Sequence, residues 1–208
     1  MRDRIRAIAA MVVLALACTR GAPAQAVAPD PVDFTPFSDG RNWIVKQLLI
    51  YRIGISHDSV IVPRGFVTDL ASIPPALQSI IQQNGPYLLP AVVHDYLYWE
   101  QTCTRDQSDQ ILMLGMLENE VSAFDRVAIY GAVRAAGSYA WDANRKERSQ
   151  HMLRVIPEDH IQIHAKTIWA AYRAQLMADS VLAGPETVIP VGFCARGSMS
   201  TEDALTTP

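Results

Sequence analysis

The chain has 208 residues, half of them hydrophobic, with 18 Lys and Arg against 21 Asp and Glu and a net charge of −3. That length suffices for one domain with an adequate core, and nothing in it reads as a repeat or a low-complexity tract. No basic block is present beyond the extreme N-terminus, so no nucleic acid is expected as a partner and an anionic membrane surface is a poor one on electrostatic grounds.

Arg2, Arg4 and Arg6 open a basic start, an apolar run follows over residues 7–17, and Ala24-Gln25-Ala26 is a small-x-small cleavage pattern. Residues 1–26 therefore read as a signal peptide, which predicts a periplasmic or secreted protein beginning at Val27. The apolar run is shorter than the roughly 20 residues a spanning helix needs, and no transmembrane segment is expected in the mature chain. A rival reading takes Leu14-Ala15-Leu16-Ala17-Cys18 as a loose lipobox with a lipid anchor on Cys18. Ala15 stands where a lipobox carries Leu, so cleavage after Ala26 is preferred. It removes four Arg and one Asp, leaving 14 basic and 20 acidic side chains and a net charge of −6. Cys103 and Cys194 remain. An even count in an exported protein suggests a disulfide, with two independent thiols as the alternative, since spacing alone does not determine their distance.

Residues 27–40, rich in Pro, Ala, Asp and Ser, read as a linker. Residues 41–194 are expected to form the globular domain. Its first part, a β-type run over 42–52, a turn over 54–59 and a second extended run Val60-Ile61-Val62, predicts a small antiparallel sheet. Gly65 is expected to supply a backbone geometry that other residues disfavour. Then come helices. One is expected from Pro74 to about Gln83, and a second from about Leu89 through His94 to Glu100. A third starts at Thr104, with Gln107 completing a Thr-x-x-Gln capping box. A fourth spans about 123–148, weakened by Gly131 and Gly137. A fifth starts after Pro157 and carries Ile161, Ile168, Trp169, Tyr172 and Leu176 up to Gly184-Pro185. Residues 195–208 are small and polar and read as a disordered tail. The expected fold class is α+β: a mostly α-helical single domain with a small N-terminal antiparallel β-sheet.

Ionisable groups set in apolar runs are the candidate site residues, because burying them is costly unless they are paired or ligate something. His94 and Asp95 stand side by side in Ala91-Val92-Val93-His94-Asp95-Tyr96-Leu97-Tyr98. Successive helical side chains diverge by about 100°, so the two address different directions, while Tyr98 shares the face of His94. In a hydrolytic site His94 would be the base and Asp95 would bind a divalent cation, calcium or another metal. Otherwise Asp95 caps a loop and His94 bonds within the core. Asp69, in Gly65-Phe66-Val67-Thr68-Asp69-Leu70-Ala71-Ser72, would complete the metal site or orient His94, or else bond its own loop. Asp109 would reach His94 from the third helix and hold its tautomer; as a surface residue it would instead face Arg105. Asp106 reads as a first-turn charge. Arg126, Tyr130 and Arg134 form a stripe in which Arg134 is expected to pair with Asp69 or Asp109 rather than to clamp an anionic substrate. His160 and His164, four apart, lack the Glu of the zinc-protease motif and read as a solvated helix face.

These segments also resemble a family of bacteria and phages catalogued as domain of unknown function thirteen fifty-three. Its pattern of Gly-Phe-x-Thr-Asp-x-Ala-Ser-x-Pro, His-Asp-x-Leu-Tyr, a helical Asp, then Tyr-x-x-x-Arg is matched by residues 65–74, 94–98, Asp109 and Tyr130 to Arg134. The likeness covers about residues 40–145 and implies a small α+β domain with no established activity. A more local likeness, to secreted phospholipase A-two, implies His94 as base, Asp95 as calcium ligand and Asp109 as orienting partner. The cysteines that precede the His in those enzymes are Ala91, Val92 and Val93 here, and the Gly-rich calcium loop is missing. The expectation is a cell-envelope hydrolase using a His-Asp centre, with or without a divalent metal, and lipid or peptidoglycan as substrate. The alternative is a non-catalytic binding or assembly module whose His/Asp/Arg cluster is a buried structural network.

Overall fold

The computed structural model describes residues 32–70, 85–184 and 192–208. The expected signal peptide and the helix expected over 74–83 lie outside the described residues. The fold is α+β: short strands in the N-terminal half, helices beyond them.

Strands β1 (Phe34–Pro36), β2 (Trp43–Val45) and β5 (Val67–Thr68) form an antiparallel sheet in the order β1-β2-β5, and β3 (Leu49–Arg52) pairs with β4 (Ser59–Val62) in a second one. The run over 42–52 is thus two strands in two sheets rather than one. Its imperfect alternation has this cause, because the residues between β2 and β3 carry the chain from one sheet to the other. β1 falls inside the segment expected to be a linker, where it pairs Phe34 with Val45. Gly65 has φ +87°, and a Cβ there would stand 2.0 Å from the Ile156 carbonyl oxygen. Its own carbonyl accepts from the Ile156 amide at 2.9 Å, so only glycine fits this crossing.

Helix α1 (Leu88–Glu100) is buried on every side from Pro90 onward, as expected of a helix apolar all round. Helix α2 (Arg105–Glu118) starts at the Thr104–Gln107 capping box read from sequence. The short connection folds it back along α1, where Gly115 lets Pro90 and Tyr51 approach closely. Helix α3 (Ala123–Ser149) packs across both and is capped by Ser122. Helix α4 (Trp169–Ala178) begins later than expected. Pro157 opens only a 3₁₀ turn, Glu158–His160, and an irregular stretch follows in which Ile161 packs with Trp169, Phe37 and Leu176 in a second small core.

The C-terminal residues form α5 (Gly192–Arg196) and α6 (Thr201–Thr206) rather than a disordered tail. Arg196 binds Asp58 and the carbonyls of Thr207 and Pro208, and Ala204 joins the main core. Cys103 and Cys194 are disulfide-bonded, tying α5 to the α1–α2 turn across a sequence separation of 91. Among the described residues no helix is long and apolar enough to cross a membrane.

A crosslink closing a loop of this size stabilises mainly by restricting the unfolded chain. Replacing both cysteines by Ala should cost about 2–5 kcal/mol and lower the melting temperature by roughly 5–15 °C, as read by circular dichroism.

Candidate functional site

His94 and Tyr98 lie one turn apart on α1, and their rings touch at a tilt of 43° with centroids 4.1 Å apart. Asp109 sits one turn into α2 and faces them. His94 Nε2 is 3.1 Å from Asp109 Oδ1, and the Tyr98 hydroxyl donates to the same oxygen at 2.5 Å. The other carboxylate oxygen accepts from Arg105 Nη1 at 3.2 Å and from Arg134 Nη1 on α3 at 2.9 Å. Arg134 also binds Asp106, so that acid is more than a first-turn charge. Trp141 meets the Tyr98 ring edge-on at 5.1 Å. Gly137 is what admits the phenol: a Cβ there would stand 2.4 Å from the Tyr98 hydroxyl.

The side chain of Asp109 is 0% exposed and that of His94 is 4% exposed. Burial alone would raise the Asp109 pKa, but the hydrogen bonds from His94, Tyr98 and Arg134 outweigh it and hold the carboxyl below its ordinary range. Tyr98 is pushed upward, first by burial and then by its bond to Asp109, so its hydroxyl stays a donor. An ionised carboxylate only accepts, which assigns the proton to His94 Nε2. His94 Nδ1 is then buried with no hydrogen bond.

Asp95 and Asp69 lie in a different cluster. Asp95 Oδ2 accepts from the Thr68 hydroxyl and, at 3.2 Å, from the Asp69 amide. The Leu70 amide donates to Thr68 Oγ1 at 3.0 Å, closing a turn in which Leu70 takes φ +58°. The Asp69 carboxylate faces Arg154, 3.8 Å away. The structure therefore brings together His94 and Asp109, and separately Asp95 with the Thr68–Asp69 turn. Among the described residues no three His, Cys, Asp or Glu side chains gather closely enough to hold a metal ion. His160 and His164 do not share a helix: His160 ends the 3₁₀ turn, bonded to Asp159 at 2.8 Å, and His164 lies in the irregular stretch beyond it. On the α3 stripe, Arg126 binds the Val121 carbonyl and Tyr130 reaches Gln110 at 3.4 Å.

One feature that sequence reasoning missed is a polar cleft of about 440 Å³ lined by Asp106, Gln110, Tyr130, Arg134 and residues 197–201. Its far wall was read as disordered. The signal that would have found it is Ser200-Thr201-Glu202-Asp203, in which Ser200 caps α6 through the Asp203 amide.

A helical layer over short antiparallel strands, with a buried acid–imidazole–guanidinium cluster, defines the class: a small α+β domain organised by an internal polar network. Residues 43–133, which include His94, Asp95, Tyr98 and Asp109, match the family described as protein of unknown function (DUF1353). No curated protein and no solved structure matches the chain.

Because the Asp109 pKa lies below its unfolded value of about 3.9, the unfolded state binds more protons in acid. Its contribution is present above that pH and is lost as pH falls through the folded pKa. Asp109→Asn should therefore be less stable than the parent near neutrality and show a shallower loss of melting temperature below about pH 4. Parallel acid slopes would exclude this role. Gly137→Ala should cost about 1–3 kcal/mol in urea unfolding through overpacking against Tyr98, against the slight gain that helix propensity alone would give.

Proposed function

We propose that this domain is a non-catalytic binding module of the cell envelope, with the His94–Asp109–Arg134 cluster as its internal frame and the cleft beside Arg134 as its contact surface. The observation that carries this reading is the burial of the imidazole. A general base must reach a substrate or water proton at hydrogen-bonding distance. Here Nε2 is engaged with Asp109 and Nδ1 is enclosed by the protein. A carboxylate bonded by four donors from three helices is what a structural network needs.

The cleft supports the binding half of the proposal. It offers hydroxyls from Tyr130, Ser198, Ser200 and Thr201, the Gln110 amide and the Arg134–Asp106 ion pair, with little apolar surface. Such a lining suits a ligand rich in hydroxyl and amide groups, as peptidoglycan is, and does not suit an acyl chain. The basic start and apolar run of residues 1–26 favour export to the compartment where that polymer lies.

His94→Ala should lower stability by roughly 2–4 kcal/mol, because it strips a donor from a buried carboxylate. Ser198→Trp, at an exposed position, should leave the melting temperature unchanged and abolish co-sedimentation with purified peptidoglycan. The hydrolase reading would return if His94→Ala left the fold intact while eliminating a measurable ester or glycan hydrolysis.

A further inference from the structure

We propose that the outer face of α3 is a docking surface for a second copy of this chain, laid antiparallel across it. Phe124, Val127 and Tyr139 are 72%, 72% and 84% exposed, and all three lie on this helix. Phe124, Ala128, Gly131, Ala135, Ser138 and Asp142 recur at alternating spacings of four and three, the seam pattern of paired helices. Val127 and Tyr139 flank the seam.

Gly131 has no internal reason to be glycine. A Cβ there would meet nothing within 4 Å, and the position is exposed in the middle of a helix, where glycine costs about 1 kcal/mol relative to alanine. Gly137, two turns on, is explained by Tyr98; Gly131 is explained by a helix from outside. Small residues at a crossing let two backbones approach to the short end of the 8–10 Å range.

The seam is symmetric about the midpoint between Gly131 and Ala135. An antiparallel copy therefore sets Gly131 against Ala135 of the second copy, and the reverse, as a two-fold interface requires. Charge agrees with that direction. The turn that leads into the helix carries Glu120 and the first helical turn Asp125, and the C-terminal end carries Arg145 and Lys146, with Asp142 paired to Arg145 at 3.4 Å. Antiparallel docking brings the acidic end of each copy to the basic end of the other, whereas parallel docking would set like charges together. Residues 124–142 rise about 28 Å, which places the contact at the low end of specific interfaces and makes the dimer reversible.

Sedimentation velocity from about 10 µM to 1 mM should show a monomer–dimer equilibrium. Gly131→Leu, which meets nothing inside the monomer, should keep or raise the melting temperature and weaken association at least tenfold. Phe124→Glu should do likewise without unfolding the chain. Lys146→Glu should weaken association, and adding Glu120→Lys should restore it. A chain that stays monomeric at 1 mM overturns the proposal, as does a dimer untouched by both Gly131→Leu and Phe124→Glu. Monomers that instead co-sediment through Phe124 with phosphatidylglycerol vesicles would assign the face to lipid and overturn it as well.

Discussion

The structure depends on one buried negative charge. Asp109 has no exposed surface, and an isolated carboxylate in that position would carry a desolvation cost of several kcal/mol. It is retained because His94 and Tyr98 on α1, Arg105 on its own helix and Arg134 on α3 all donate to it. Four donors on two oxygens leave no lone pair idle, so the carboxylate fixes the register of three helices at once. An apolar replacement of equal volume could be as stable, but it would not dictate which turn of α1 faces which turn of α2. The dependence runs outward as well: Gly137 must be small because Tyr98 must reach Asp109, and Trp141 closes the ring's remaining edge.

The second cluster is built on the same logic at a smaller scale. Asp95 gathers the Thr68 hydroxyl and the Asp69 amide, and Thr68 in turn accepts from Leu70. Those bonds hold a leucine in a left-handed conformation that costs a side-chain-bearing residue about 1–2 kcal/mol. His94 and Asp95, adjacent in the chain, thus point from one buried helix into two unrelated networks, one joining helices and the other joining α1 to β5. Adjacency in sequence suggested a shared site; the 100° step of the helix separates them.

Much of the frame was legible because it rests on local signals. The Thr104–Gln107 box, the all-round apolar pattern of α1 and the turn at Gly65 are each written in a few consecutive residues. That Arg134 pairs with an acid was legible too, because an Arg among alanines on a helix needs a partner; the choice of Asp109 over Asp69 was not. What escaped were features decided by distant contacts. The run over 42–52 divides because β2 must meet β5 while β3 meets β4, a choice made by residues twenty positions away. The tail is ordered because Arg196 finds Asp58, which a composition of Ser, Thr and Gly cannot announce, and because the Cys103–Cys194 disulfide that the even cysteine count suggested holds its start. The late start of α4 reflects Ile161 and Trp169 packing into the second core from an irregular stretch, which a reading by apolar spacing takes for a helix.

Helix α3 joins these levels, because its two glycines answer to opposite faces. The inner face, with Ile129, Gly137 and Trp141, is shaped by the polar network. The outer face, with Phe124, Gly131 and Tyr139, is exposed and packs against no element among the described residues. Arg134 stands between them, its guanidinium holding Asp109 on one side and lining the cleft on the other. A ligand that drew Arg134 toward itself would weaken one of the four bonds on which the helix register depends, so binding at the cleft and stability of the frame are thermodynamically linked through this one side chain. Chemistry at His94 would need a buried imidazole uncovered, whereas a ligand in the cleft meets Arg134 where it already stands and strains the network only through that one bond.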